Sequence, residues 1–385
     1  MDNLVYRPRL VFWELTKGCN LRCIHCRATA TELSSPEDLS YEESAQVIDQ
    51  LAVYAPFILV LSGGEPLFRR DIFRLARRAT DKGIRVALAT NGTLITESVA
   101  QEICDAGIRR VAISLDGPDA ATHDAFRGMS GSFQLALEGF QHLKQRGMSL
   151  QINTTVAKHN SAQLAETLDL ALRLGADAFH LFLLVPVGCG VQIAEKQMVE
   201  AEEYEQILNW LYDRTLESKI ELKATCAPHF FRVVRQRRAE ARRQGESVPE
   251  LPTQHGHGGH VPNAMNAMTR GCLAGTGVCF VSHKGEVYPC GYLPLEAGNL
   301  RRQSFPEVWE RSPLFASLRN LDNLQGKCGV CEFRNICEGC RARAFGCTGD
   351  YLAEEPFCLY EPRGYQSAPS PDPRPSLVPM HTESR

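Results

Sequence analysis

Cys19, Cys23 and Cys26 stand near the N-terminus in the segment TKGCNLRCIHC, with the spacing C-x3-C-x2-C. Three thiolates so placed can bind three irons of a [4Fe–4S] cube and leave the fourth iron without a protein ligand. That open iron can take the amino and carboxylate groups of S-adenosylmethionine (SAM) and bring its sulfonium against a low-potential electron donor. One electron then breaks a carbon–sulfur bond to give methionine and a carbon radical; the cofactor does the hard chemistry, and the protein positions it and excludes water. A structural zinc site is the competing reading. It needs a fourth ligand, usually from paired C-x2-C units, which this segment lacks unless His25 is recruited.

A second set of thiols lies far downstream. Of the 15 cysteines, nine fall between Cys272 and Cys358, and only Cys104, Cys189 and Cys226 are scattered between the two groups. The downstream order is Cys272-x6-Cys279, Gly285-x4-Cys290, Cys328-x2-Cys331-x5-Cys337-x2-Cys340 and finally Cys358. Eight thiolates complete two four-thiolate sites, which by spacing alone suit iron–sulfur clusters or zinc. The upstream cluster motif favours iron for these as well. Cys104, Cys189 and Cys347 read as packed or surface thiols. A long chain with no export signal implies reducing surroundings, where cysteines serve metals or catalysis rather than disulfides.

These thiols need a scaffold. Short apolar strands are predicted at 9–16, 57–63, 85–90, 110–117, 149–156 and 178–186, with helices near 40–53, 70–82, 96–106, 131–146 and 160–174. Such alternation gives a parallel sheet with helices outside, and the motif-bearing turns then gather at its C-terminal edge. A helix at 201–217, a strand at 220–228 and an arginine-rich helix at 230–245 follow. The stretch 246–263, rich in Pro, Gly and His, reads as a loop or linker, with His255, His257 and His260 as polar loop residues and metal or substrate-iron binding as the alternative. The tail after Tyr360, with SAPSPDPRPSL, reads as disordered. The expected organisation is a barrel over 1–228, a helix and linker over 229–271, a cysteine-rich module over 272–360 and a tail over 361–385.

A length of 385 residues suffices for one catalytic domain and a smaller module, and 44% hydrophobic content supports an ordinary core. The net charge of −3 gives no sign of a nucleic-acid or membrane-surface partner. No apolar run approaches the roughly 18 residues of a spanning helix. The first residues, MDNLVYRPRLVFWEL, lack signal-peptide order, so a cytoplasmic protein is expected.

The motifs, taken in order, resemble the radical SAM superfamily. The cysteine triplet closes the first strand, SGGEP (62–66) the second, TNG (90–92) the third and SLDG (114–117) the fourth, and HDAFRG (123–128) comes soon after. The resemblance implies an α/β fold, a partial (β/α)6 radical SAM barrel. It also implies that the backbone of Gly63 and Gly64, with Glu65 nearby, holds the SAM amino group, and that Ser114 and Arg127 contact its ribose and carboxylate. The downstream run resembles the SPASM extension, which carries auxiliary [4Fe–4S] clusters, so a C-terminal cysteine-rich SPASM-type module is expected. By that resemblance Cys272, Cys279, Cys290 and Cys340 share one cluster, and Cys328, Cys331, Cys337 and Cys358 the other. The central run here ends in C-x2-C, where the family usually has C-x3-C.

Over almost the whole chain the likeness is to the haem synthases of the sirohaem-dependent route. ELKATCAPHF and MTRGCLAGTGVCFVSHKGEVYPCGYLP carry it most specifically. That family converts iron-coproporphyrin III into haem b by oxidative decarboxylation of two propionates to vinyl groups. The resemblance implies a flavodoxin- or ferredoxin-type electron donor of low potential. Propionates call for cations, for which Arg27, Lys223, Arg232 and Arg235 are candidates, each with a solvated-face role as the alternative. Cys226 and His229 could approach the haem iron or serve as ordinary packed side chains. Rival readings are a tetrapyrrole-tailoring enzyme of the sirohaem or haem d1 routes, a SPASM-type peptide maturase, and an iron–sulfur electron carrier. A maturase often has a peptide-recognition domain ahead of the barrel, for which a first strand near residue 9 leaves no room. A carrier has no use for SGGEP, SLDG and FRG.

Overall fold

A computed structural model of the chain describes residues 6–31, 35–246 and 271–365. Seven parallel strands among them form the barrel wall in chain order: β1 (Leu10–Glu14), β2 (Ile58–Ser62), β3 (Arg85–Thr90), β4 (Arg110–Ser114), β5 (Ser149–Val156), β6 (Ala178–Leu183) and β7 (Glu221–Thr225). Helices α1 (Tyr41–Ala52), α2 (Ile72–Asp81), α3 (Glu97–Asp105), α4 (Ala120–Arg127), α5 (Ser132–Lys144), α6 (Leu164–Leu174), α7 (Gly190–Gln197) and α8 (Ala201–Glu217) connect them, and α9 (Phe230–Arg243) follows β7. Period-2 patterning sets the two faces of the sheet. In β1, Val11 and Trp13 are buried in the main core with the helices, while Leu10 and Phe12 join a smaller cluster with Ile58, Val60 and Ala87 on the other face. Helix starts are written locally. Ser40 and Glu43 form a capping box on α1, and Thr96 and Asp119 cap α3 and α4.

The six expected barrel strands all form, and the 220–228 segment adds a seventh parallel strand beside β6. The cysteine-rich region contributes β8 (Val278–Val281), β9 (Glu286–Tyr288) and β10 (Gly298–Asn299), then α10 (Phe305–Arg311), α11 (Pro313–Arg319), α12 (Gly326–Val330) and α13 (Arg341–Thr348). Strand β8 pairs parallel to β1, with Leu10 opposite Val278 and Val11 opposite Cys279, so the described sheet runs β10-β9-β8-β1 through to β7. An open barrel leaves two edges of unpaired backbone groups, and β8 satisfies one of them. At the other edge Arg343 of α13 donates to the carbonyls of Leu183, Leu184 and Cys226. The module therefore grips both ends of the parallel sheet.

The expected linker histidines His255, His257 and His260 and the tail beyond Tyr365 lie outside the described residues. Among the described residues no helix is long and apolar enough to cross a membrane.

Candidate active site

The cysteine loop after β1 is held by backbone contacts that admit no side chain. Gly64 N–H donates to Thr16 O at 2.8 Å and Glu65 N–H to Gly18 O at 2.7 Å. A Cβ on Gly64 would lie 2.6 Å from Lys17 O, so glycine is required where the SGGEP turn meets the loop. From the other side Cys189 N–H donates to Cys26 O at 2.8 Å.

Cys19, Cys23 and Cys26 all face one cavity of about 450 Å³, within the range of small-molecule sites. Their sulfurs receive N–H groups: Leu21 N–H to Cys19 Sγ at 3.3 Å, Asn91 Nδ2 to Cys19 Sγ at 3.9 Å, and Arg127 Nη1 to Cys23 Sγ at 3.8 Å. Such donors stabilise thiolates and tune cluster potential. Burial pushes the Cys19 thiol up to about 12 and raises Cys23 as well, so the thiolate form depends on the charge of a bound metal group. Among the described residues no three His, Cys, Asp or Glu side chains close around a single point as one ion requires. Three thiols on one cavity wall, with N–H donors on Cys19 and Cys23, fit a group held by thiolates.

Gly63, Gly64, Ser114 and Arg127 line the same cavity, but Glu65 does not. Its carboxylate is fully buried behind the turn, accepting from Thr90 Oγ1 at 2.7 Å, Asn91 N at 2.8 Å and Leu67 N at 3.2 Å. Burial raises it to about 7 against those three donors. Glu65 thus ties the SGGEP turn to the end of β3 and positions the glycines. Arg127 Nε lies 2.6 Å from Asp116 Oδ2, and that fully buried carboxylate also accepts from Thr155 N at 2.8 Å. Asp116 sits inside SLDG, yet nothing local marks it as the partner of Arg127; that pairing and its burial are tertiary facts. His25 stacks on Phe126 with ring centroids 4.0 Å apart, and burial lowers it to about 3, so it is neutral.

The substrate candidates divide. Arg27 and Lys223 line the main cavity. Arg27 Nη2 lies 2.8 Å from Glu14 Oε1, and its guanidinium sits 4.3 Å from the Phe280 ring centroid, beside the module. Lys223 lines the cavity with Arg110, Gln151 and His180, and Arg110 Nη1 lies 3.1 Å from Glu221 Oε2. His229 and Arg232 belong elsewhere: they border a second, small cavity of about 20 Å³. His229 is fully buried and stacks on Tyr204, while Arg232 donates to Glu205 Oε1 at 2.9 Å. Arg235 is exposed on α9, outside the set of Phe230, Arg232, Val233 and Val234 that the helix buries.

The two expected auxiliary sets fare differently. Cys328, Cys331, Cys337 and Cys358 all line the second cavity, with Arg341 Nη2 3.7 Å and Glu355 N 3.3 Å from Cys328 Sγ, and Phe333 N 3.4 Å from Cys331 Sγ. Cys272, Cys290 and Cys340 line the main cavity, but Cys279 does not join them. Strand alternation is the reason. In β8, Val278 and Phe280 face the cavity, whereas Cys279 and Val281 point to the helix-packed core with Val11. Cys226, a candidate substrate contact, also lines the main cavity and packs beside Cys340.

Residues 13–171 match the radical SAM superfamily, and residues 272–341 match SPASM, an iron–sulfur cluster-binding domain. The chain belongs to the radical SAM superfamily and carries a SPASM module. Within that class it is 50% identical to the AdoMet-dependent heme synthase of Methanosarcina barkeri, over 92% of this chain and 97% of that one. It is 46% identical to the enzyme of the same description from Nitratidesulfovibrio vulgaris, over 92% and 93% of the two chains. The pre-heme d1 synthase of Dinoroseobacter shibae is 33% identical over 91% of this chain and 85% of that one. Among solved structures, Streptococcus suis SuiB bound to S-adenosylmethionine shares the fold, with a TM-score of 0.68 at 18% identity over 93% and 79% of the two chains.

Proposed function

We propose that the chain converts iron-coproporphyrin III to haem b by oxidative decarboxylation of two propionates to vinyl groups. The observation that carries this reading is the 50% identity to an AdoMet-dependent heme synthase along nearly the full length of both chains, against 33% for a pre-heme d1 synthase. When bound, SAM and its cluster supply a radical strong enough to take hydrogen from an unactivated carbon.

The chain's own residues fit the task. Cys19, Cys23 and Cys26 hold the cluster, and Gly63, Gly64, Ser114 and Arg127 hold SAM, with Glu65 and Asp116 fixing the turn and the guanidinium. Phe12, Val60, Ala87 and Phe280 give the cavity apolar walls suited to a macrocycle. Lys223 and Arg27 both place cations on its wall, where carboxylates must be held. Each propionate that becomes a vinyl group gives up one hydrogen atom, one carbon dioxide and one electron, so an acceptor must stand close. Cys272, Cys290 and Cys340 line the same cavity and would hold that acceptor at its wall. Cys328, Cys331, Cys337 and Cys358 would hold a second cluster nearer the surface. A flavodoxin- or ferredoxin-type donor and a cytoplasmic location complete the reading.

Anaerobic incubation with SAM, dithionite and iron-coproporphyrin III, followed by mass analysis, tests it. Divinyl product is expected. Turnover of a sirohaem or haem d1 precursor, with iron-coproporphyrin III left unchanged, would overturn it.

A further inference from the structure

We infer that Cys226, and not Cys279, is the fourth thiolate of the auxiliary cluster site formed by Cys272, Cys290 and Cys340. The inference rests on the iron–sulfur reading of the module and is independent of the substrate assigned above.

Cys279 is on the wrong face of a sheet. It is fully buried in β8, in register with Val11 of β1, and its neighbours Val278 and Phe280 are the residues that reach the cavity. Bringing its sulfur to Cys272, Cys290 and Cys340 would require a one-residue slip of β8 along β1. That slip would turn Val278 and Phe280 into the helix-packed core and Val281 into the cavity.

Cys226 is already in place. It follows β7 directly, lines the main cavity with the three module thiols, and packs in one small cluster with Cys340 and Cys290. Among the described residues it is thus the one barrel thiol packed beside the module's Cys340 and Cys290. The backbone is arranged to aim it. Cys226 has φ 58°, a left-handed conformation that a residue with a Cβ adopts at a cost, and such residues concentrate at functional sites. Two buried side chains hold it there through its carbonyl, Tyr204 Oη donating at 3.1 Å and Arg343 Nη2 at 2.9 Å. Arg343 is itself part of the module, so the same contact that fixes Cys226 also seats α13 on the barrel edge.

The consequence is structural and electronic. Three thiolates from the module and one from the barrel make a complete four-thiolate set, which leaves no iron open to substrate and suits outer-sphere electron transfer. The fourth ligand directly follows the strand that carries Lys223, so the cluster would be bound to the wall of the substrate cavity.

The test uses the full chain carrying Cys19→Ala, Cys23→Ala and Cys26→Ala, reconstituted anaerobically, so that only auxiliary iron is counted. This background should hold about eight irons per chain, as two four-iron clusters. Adding Cys226→Ala should remove up to half of the iron and sulfide or alter one of the two reduced-state EPR signals. Adding Cys279→Ala should leave iron, sulfide and EPR unchanged. Cys226→Ser, which can ligate through oxygen, should keep the iron with a shifted signal and potential; it also carries the test if the Ala variant does not fold. A folded Cys226 variant with full iron and an unaltered signal would overturn the inference. So would loss of iron in Cys279→Ala, or zinc in place of iron in the background chain. Haem formation by the unmodified chain is scored separately, so failure of the substrate reading leaves this result standing.

Discussion

Replacing Arg343 by Met asks whether one buried guanidinium bolts the module to the barrel. Arg343 is fully buried, and its Nη1 lies 3.4 Å from Glu355, which is buried as well. Its Nη2 donates to Leu183 O at 3.3 Å, Leu184 O at 3.4 Å and Cys226 O at 2.9 Å. Glu355 in turn accepts from Cys340 N at 2.8 Å. Methionine keeps an unbranched apolar stem but removes the guanidinium, which leaves a buried carboxylate without its cation. Removing one partner of such a pair costs about 3–5 kcal/mol. Unfolding entropy of about 2.1 cal/mol/K per residue, taken over 385 residues, converts this to a fall of about 4–6 °C in melting temperature. Calorimetry of anaerobically reconstituted protein at matched scan rates reads it. Adding Glu355→Gln removes the orphaned charge and should recover part of the loss, because most of the cost lies in the unpaired ion rather than in the missing contact. A Met variant melting within about 1 °C of the parent would refute the reasoning, as would a double variant no more stable than the single one.

Three further outcomes are expected. Gly64→Ala puts a Cβ 2.6 Å from Lys17 O, and overpacking of about 1–3 kcal/mol should weaken SAM binding by about tenfold or more, as read by equilibrium dialysis; unchanged affinity would refute the close-approach argument. Burial raises Glu65 to about 7, above its unfolded value of 4.5, so its stabilising contribution is full below pH 4.5 and is lost as pH rises through 7. Relative to Glu65→Gln, the parent should lose about 1.4 kcal/mol per pH unit between about pH 5 and 7, and parallel stability curves for the two would sink the assignment. Lys223→Met should raise KM for iron-coproporphyrin III about tenfold, the worth of one charge-assisted hydrogen bond, while substrate-free SAM cleavage stays unchanged; an unaltered KM would remove Lys223 from the site.

The sequence by itself determined whatever depends on neighbours along the chain. The Cys19, Cys23 and Cys26 spacing, the SGGEP turn, the Ser40–Glu43 capping box and the apolar periods of β1–β7 are all local patterns, so they announced a parallel α/β sheet with a three-thiolate loop at one edge. Spacing counts residues but not faces. The family resemblance put Cys279 with Cys272 in one cluster, whereas β8 alternation turns it into the core. The sequence could not pair β8 with β1, because periodicity names the buried side of a strand and not its partner. Charged side chains hid in the same way. Arg232 and Arg235 look alike in an arginine-rich helix, yet packing against Glu205 buries only the first. No local pattern marks Arg343, Glu355 or Asp116 as buried; only packing removes water from around them. Only the tertiary structure could bring Cys226 to Cys340, since the two are joined by no local pattern and meet because one module closes both edges of an open barrel.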